Sequence, residues 1–168
     1  MKLKSGVTIN GKAFKPGDRA PMVFIYPFFL VHMAMFGLSG FLMAYSGEVP
    51  LLFLYLHGGI AIFVYLIFYL AIFGRDEVKW MLINAGLGLL GIWMEIDTIL
   101  GWFGKSLDEF SPWVNVTPFL YYILYTFLLR QLLLDLTGSR DKPARKRMVE
   151  AIYVVGSLVV YGGLYLLR

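Results

Sequence analysis

The chain has 168 residues, of which 59% are apolar and 15% are charged. About a quarter of the residues in a soluble domain are charged, so this composition excludes an ordinary soluble globular protein. The absence of cysteine excludes disulfides, thiolate metal sites and cysteine nucleophiles. The net charge is +4, but the chain lacks the basic and aromatic pattern of a nucleic-acid-binding surface, so we expect no nucleic-acid partner.

The first twenty residues are polar. They lack the apolar core and the cleavage site of a signal peptide, so we expect no cleaved leader. Within residues 7–14, Asn10-Gly11 separates two short β-prone runs, which is typical of a two-residue hairpin turn. We predict that residues 1–20 form a cytoplasmic arm whose β-hairpin lies against the membrane surface. A flexible tail is the alternative, because isolated hairpins are marginally stable in water.

Five apolar runs are long enough to cross a bilayer. They cover about residues 22–45, 51–73, 78–103, 113–136 and 148–167. We therefore predict an all-α integral membrane protein, in which residues 21–168 form a bundle of five transmembrane helices. No internal repeat is visible, and an odd number of spans disfavours a transporter built from inverted repeats.

The basic residues are distributed unequally between the two sides of this topology. Twelve of the fifteen Lys and Arg residues lie in the arm, the second loop and the fourth loop, which share one side. Only Lys105 and Arg168 lie on the other side, and Arg130 lies within a span. The positive-inside rule then predicts a cytoplasmic N-terminus and an exoplasmic C-terminus in a cytoplasmic (inner) membrane.

The third span contains acidic residues and small residues on defined faces. Asn84, Gly88, Gly91 and Glu95 fall on one stripe of a helix, because their offsets return to one face. Small residues at such positions allow neighbouring helices to approach closely. Asp97 lies about 200° around the helix from Glu95, so the two carboxylates do not form a ready-made pair.

Four polar residues have similar predicted depths in the outer half of the bundle. His57 lies about 10 Å and Glu95 about 13 Å from the exoplasmic end of their spans. With Asp97 and Asn115, they are candidates for a ligand-binding or ion-binding cavity that opens to the exoplasmic side. The alternative is that Glu95 has a packing role and Asp97 reaches the interface. A metal site needs three or four convergent ligands, so we predict no metal.

The two histidines, His32 and His57, lie in adjacent antiparallel spans and suggest a redox anchor. Together they are candidate ligands for haem b or a quinone. The predicted depths of the two residues differ by about 10 Å, which argues against both rings binding one iron. The alternative for His32 is a polar group that is satisfied by a helix neighbour.

Basic residues near the cytoplasmic side form another candidate set. Arg130 lies about 12 Å inside its span, from where an Arg side chain reaches lipid phosphate by snorkelling. Alternatively, it pairs with Gln131, Asp135 or Glu150. The candidates for binding lipid headgroups are Arg130, Arg145, Lys146 and Arg147. Alternatively, the basic residues of the loop at 137–147 only determine the orientation of the chain in the membrane.

Motifs of the common enzyme classes, such as HExxH, GxSxG and the P-loop, are absent from the sequence. We therefore favour a non-enzymatic protein and predict no catalytic residue. The first functional hypothesis is an accessory subunit of a larger membrane complex, which contacts lipids and other membrane subunits. The alternatives are solute or ion binding and transport through the outer polar cavity, and a membrane anchor that binds haem or quinone.

Overall fold

The structure is a computed structural model that describes residues 3, 5–9, 12–18 and 22–166. The Asn10-Gly11 turn predicted above and the C-terminal Arg168 lie outside the described residues. The helices are α1 (Met22–Tyr45), α2 (Leu51–Phe73), α3 (Arg75–Val78), α4 (Met81–Trp102), α5 (Val116–Leu136) and α6 (Pro143–Leu166).

Five helical segments of the described chain are long and apolar enough to cross a membrane, with α3 and α4 counted as one segment. Their number agrees with the spans expected from hydropathy, and the fold is compatible with a multi-pass membrane protein. We call the end of the bundle that holds residues 74–80 and 137–142 the basic end. The other end, with residues 46–50 and 103–115, is the distal end.

Helix boundaries differ most from the predicted spans at two places. The third span begins with the separate short helix α3, and α4 follows after a turn at Lys79 and Trp80. Helix α6 begins at Pro143 rather than at residue 148. Proline has no N–H to satisfy in the first helical turn and its φ is already helical, so Pro143 starts the helix among basic residues.

The N-terminal arm forms the predicted hairpin, although each strand has only three residues. Strand β1 (Val7–Ile9) pairs antiparallel with β2 (Lys12–Phe14). Leu3 is buried in the core cluster at the basic end. The hydroxyl of Ser5 donates to the carbonyl oxygen of Ala71 at 2.7 Å. The described part of the arm is therefore anchored to the end of α2.

Helix α5 is the centre of the bundle. It packs against each of the other four long helices; apart from α5, the main partner of α1 is α2 and that of α4 is α6. Two helix pairs thus flank α5 on opposite sides. Because the pairs meet mainly through α5, clefts remain along the sides of the bundle.

Glycines allow the closest helix contacts. A Cβ added at Gly58 would clash with Thr117 of α5, and one added at Gly91 would clash with the ring of Tyr161 on α6. Gly88 lies against aromatic rings of α5 in the same way. The small-residue stripe predicted on the third span is therefore a packing face.

Candidate functional site

The polar residues predicted to share an outer cavity make different contacts in the structure. The imidazole Nε2 of His57 lies 3.1 Å from the hydroxyl of Ser39 on α1. Asp97 accepts a hydrogen bond from the backbone N–H of Leu107 at 3.0 Å, beyond the end of its helix. His57 therefore faces the α1–α2 side, whereas Asp97 ties α4 to the distal loop.

Asn115 has a structural partner at the distal end. It is buried, and its side-chain oxygen accepts a hydrogen bond from the hydroxyl of Tyr45 at 2.5 Å. This contact links the end of α1 to the turn that precedes α5. The buried amide oxygen is thus satisfied by a side chain of the protein itself.

Glu95 lines a lateral cleft with a volume of about 710 Å³. We call it the Glu95 cleft. It lies between α1 and α4, with α5 at its base, and its lining is mainly apolar. Its apolar lining includes Met33, Leu38, Ile92, Ile96, Ile99 and Pro118. Among the described residues, no hydrogen bond or ion pair to the Glu95 carboxylate is found.

Tyrosines of α5 form the base of the Glu95 cleft. Tyr121, Tyr122 and Tyr125 all line it. Tyr121 is 5% exposed, and its hydroxyl is buried without a hydrogen-bond partner. An unsatisfied buried hydroxyl costs free energy unless a further group reaches it. The cleft therefore combines apolar walls with one carboxylate and several phenol rings.

Another cleft lies between α1 and α2 and has a volume of about 360 Å³. We call it the histidine cleft, because His32 and His57 both line it. The ring of His32 stacks on Phe28 with a centroid distance of 4.1 Å, and Nδ1 lies 2.7 Å from the Phe28 carbonyl oxygen. The ring of His57 lies 5.7 Å from that of Phe36.

The basic end holds a network of paired charges around Arg130, which we call the Arg130 cluster. Arg130 is only 1% exposed, and one terminal nitrogen donates to Glu77 at 2.8 Å while the other donates to Glu150. The guanidinium carbon lies 4.1 Å from the centroid of the Trp80 ring. Lys146 also donates to Glu77, at 2.6 Å. Arg130 thus pairs with carboxylates rather than pointing to lipid phosphate. Of the partners suggested by the sequence it binds Glu150, and it also binds Glu77, which was not among them.

A second branch of the same cluster joins α1, α5 and the loop before α6. Arg140 donates to Asp135 at 2.6 Å and to the side-chain oxygen of Gln131 at 2.7 Å. The hydroxyl of Tyr26 donates to the same Asp135 carboxylate. Burial lowers the pKa of Arg140, but its hydrogen bond to Asp135 and the charge of that carboxylate outweigh burial and raise it.

The remaining headgroup candidates differ from Arg130 in exposure. Arg145 and Arg147 are exposed in the first turns of α6, whereas Lys146 points into the Arg130 cluster. Their interaction with lipid headgroups stays a prediction. Among the described residues, no group of three or more His, Asp or Glu side chains is placed to hold a metal ion.

Sequence reasoning missed several residues that build these sites. Glu77 falls between the second and third predicted spans, yet it is the acceptor shared by Arg130, Gln131 and Lys146. Glu77 lies in the short helix α3, which has only four residues, so no helical periodicity in the sequence indicates which way its side chain points. The convergence of α1 and α4 on the tyrosines of α5 also had no local signature, because it depends on helix packing.

No family model matches the chain, and neither curated proteins nor solved structures give a significant match.

Proposed function

We propose that this chain is a membrane-embedded binding protein for a lipophilic organic cation, with Glu95 as the counter-charge. The observation that supports the proposal is the Glu95 carboxylate itself. It lines a cleft of about 710 Å³ and makes no ion pair or hydrogen bond with another described residue. Carboxylates at bilayer depth are costly and are typical of ligand or ion pathways.

The pairing of the other acidic residues supports a distinct role for Glu95. Glu77, Asp135 and Glu150 lie within helical spans, and each is paired with an Arg or Lys side chain. Asp97, on the same helix as Glu95, accepts the backbone N–H of Leu107 instead. Those three carboxylates are therefore neutralised inside the protein. A bound cation would do the same for Glu95, because opposite charges attract strongly where water is scarce.

The tyrosines add the second element of cation recognition. The π-faces of aromatic rings attract organic cations, and the attraction is stronger where the cation is desolvated. Three tyrosines of α5 line the same cleft as Glu95.

The size and opening of the cleft favour a ligand that arrives through the lipid. Its volume lies within the range of about 300–1,000 Å³ that is usual for small-molecule pockets. Side chains along its rim are strongly exposed, including Leu38 at 61% and Trp102 at 77%. A molecule dissolved in the surrounding lipid would therefore reach Glu95 from the side.

Binding of tetraphenylphosphonium to the purified protein in detergent tests this function by equilibrium dialysis. We expect saturable binding by the unaltered chain and at least a tenfold weaker affinity for Glu95→Gln. Glu48→Gln, in the exposed turn after α1, removes the same charge outside the cleft and serves as the matched control. Equal binding by Glu95→Gln and Glu48→Gln, both eluting as folded protein in gel filtration, would refute the proposal.

A role as an accessory subunit of a larger membrane complex is a second proposal. The observation that favours it is the peripheral position of α6, since only 6% of its apolar window is buried within the chain. Native mass spectrometry of protein extracted in mild detergent tests this role. Co-purifying membrane chains support it, whereas a lone monomer that binds a ligand contradicts it.

We also propose that the basic end faces the cytoplasm and that the protein resides in the inner membrane. The charge asymmetry of the loops supports this orientation. Alkaline phosphatase fused after residue 168 is expected to be active, because it folds only outside the cytoplasm. An inactive phosphatase fusion together with a fluorescent C-terminal green fluorescent protein fusion would contradict the orientation.

A further inference from the structure

The hydrogen bond of His32 to its own helix fixes the position of its ring proton. Nδ1 lies 2.7 Å from the carbonyl oxygen of Phe28. A carbonyl oxygen only accepts hydrogen bonds, so Nδ1 carries the proton and donates it. In the neutral ring, Nε2 is then an acceptor that points away from the backbone of α1.

For His57, the two hydrogen bonds of Ser39 indicate which ring nitrogen carries the proton. The Ser39 hydroxyl lies 3.0 Å from the carbonyl oxygen of Phe36 and 3.1 Å from Nε2 of His57. Its single proton is donated to the carbonyl, so its oxygen accepts the N–H of Nε2. The neutral His57 ring therefore retains Nδ1 as an acceptor.

The two histidines are separated along α1. His57 contacts Ser39, which lies seven residues beyond His32, a rise of about 10 Å. Its ring also contacts Phe36, which lies four residues beyond His32, or about 6 Å. The two rings are therefore offset by about 6–10 Å along the helix axis. A six-membered ring that makes one hydrogen bond of about 3 Å at each of two opposite edges is long enough to bridge this offset.

The walls of the histidine cleft suit a flat ring that carries an apolar tail. Phe28, Phe36 and Tyr65 line it with aromatic surface. Its volume of about 360 Å³ is near the lower limit for ligand pockets, which is enough for one substituted ring. Ile60, 65% exposed, lies at its rim, so a tail attached to the ring leaves into the surrounding lipid.

We infer that the histidine cleft binds the ring of a membrane hydroquinone, whose two hydroxyl groups donate hydrogen bonds to Nε2 of His32 and Nδ1 of His57. The inference does not depend on the Glu95 cleft, which lies on the other side of α1. It concerns binding alone. The two acceptors explain the choice of ligand, because a hydroquinone carries two O–H donors on opposite edges of its ring.

Isothermal titration of the purified protein with tetramethylhydroquinone, under anaerobic reducing conditions, tests the inference. The dimethyl ether of the same molecule has the same ring but no O–H donor. We expect saturable binding of the hydroquinone and at least tenfold weaker binding of the ether, since a factor of ten corresponds to about 1.4 kcal/mol, the scale of one hydrogen bond. Equal affinities for the two compounds would overturn the inference. Because this comparison uses only the unaltered protein, misfolding of a variant does not affect it.

Substitution of the histidines gives the second measurement. His32→Phe and His57→Phe are each expected to weaken hydroquinone binding about tenfold while leaving the weak binding of the ether unchanged. Phe63→Leu, at an exposed position of α2 outside the cleft, is the control and is expected to bind as the unaltered chain does. Hydroquinone binding that persists undiminished in both histidine variants would refute the proposed contacts.

Discussion

Replacement of Arg130 by methionine is predicted to destabilise the helix bundle strongly. The guanidinium is 1% exposed and pairs with Glu77 and Glu150, whose side chains are 18% and 14% exposed. Glu77 would keep Lys146 at 2.6 Å, but the main partner of Glu150 would be lost. Removal of one partner from a buried ion pair costs about 3–5 kcal/mol, because an uncompensated charge is left behind.

A second substitution separates this electrostatic cost from a loss of packing. Arg130→Met combined with Glu150→Gln removes the stranded charge while keeping similar side-chain volumes. We expect the double variant to recover more than half of the stability lost by Arg130→Met alone, since replacement of a whole buried pair is often nearly neutral. Glu48→Gln controls for removal of a carboxylate at an exposed position.

Thermal unfolding in detergent, followed by circular dichroism, measures these differences. The expected order of midpoint temperatures places the unaltered chain and Glu48→Gln highest, the double variant next, and Arg130→Met lowest. Additive effects of the two cluster substitutions, with the double variant less stable than Arg130→Met, would refute the electrostatic explanation. An unaltered midpoint for Arg130→Met would show that the pairs contribute nothing to the fold.

Two further predictions test the helix contacts by the same thermal assay. Gly58→Ala is expected to destabilise by about 1–3 kcal/mol, because its methyl group would overlap Thr117, whereas the adjacent Gly59→Ala meets open space and gains up to about 1 kcal/mol of helix propensity. Equal effects at the two glycines would contradict the α2–α5 contact. Tyr45→Phe is expected to cost about 1–3 kcal/mol, since it leaves the buried oxygen of Asn115 unsatisfied. An unchanged midpoint for this variant would show that the oxygen finds another donor.

Hydropathy was sufficient to predict the five apolar helices, because each span is a local property of about twenty consecutive residues. The packing role of the stripe with Gly88 and Gly91 was predictable for the same reason, since helical periodicity places these positions on one face. The start of α6 at Pro143 was missed because the first turns of that helix are basic and do not register as apolar.

Which polar side chains lie close together in the bundle could not be predicted from hydropathy or helical periodicity. His57 and Glu95 are predicted at similar depths along their helices. Depth alone, however, does not specify which neighbouring helix a side chain faces. The rotation of α2 turns His57 towards Ser39, whereas Glu95 lines the cleft between α1 and α4. Rotation is determined by contacts such as Gly58 against Thr117, which connect residues far apart in the sequence.

Photoaffinity labelling with an azide derivative of triphenylphosphonium tests the central claim most directly, because it reports where a lipophilic cation binds. We predict that peptide mapping finds the label on residues 33–42 of α1 and 92–102 of α4, and that Glu95→Gln removes most of it. Labelling concentrated on α2 or α6, or an identical labelling pattern in Glu95→Gln, would contradict the claim.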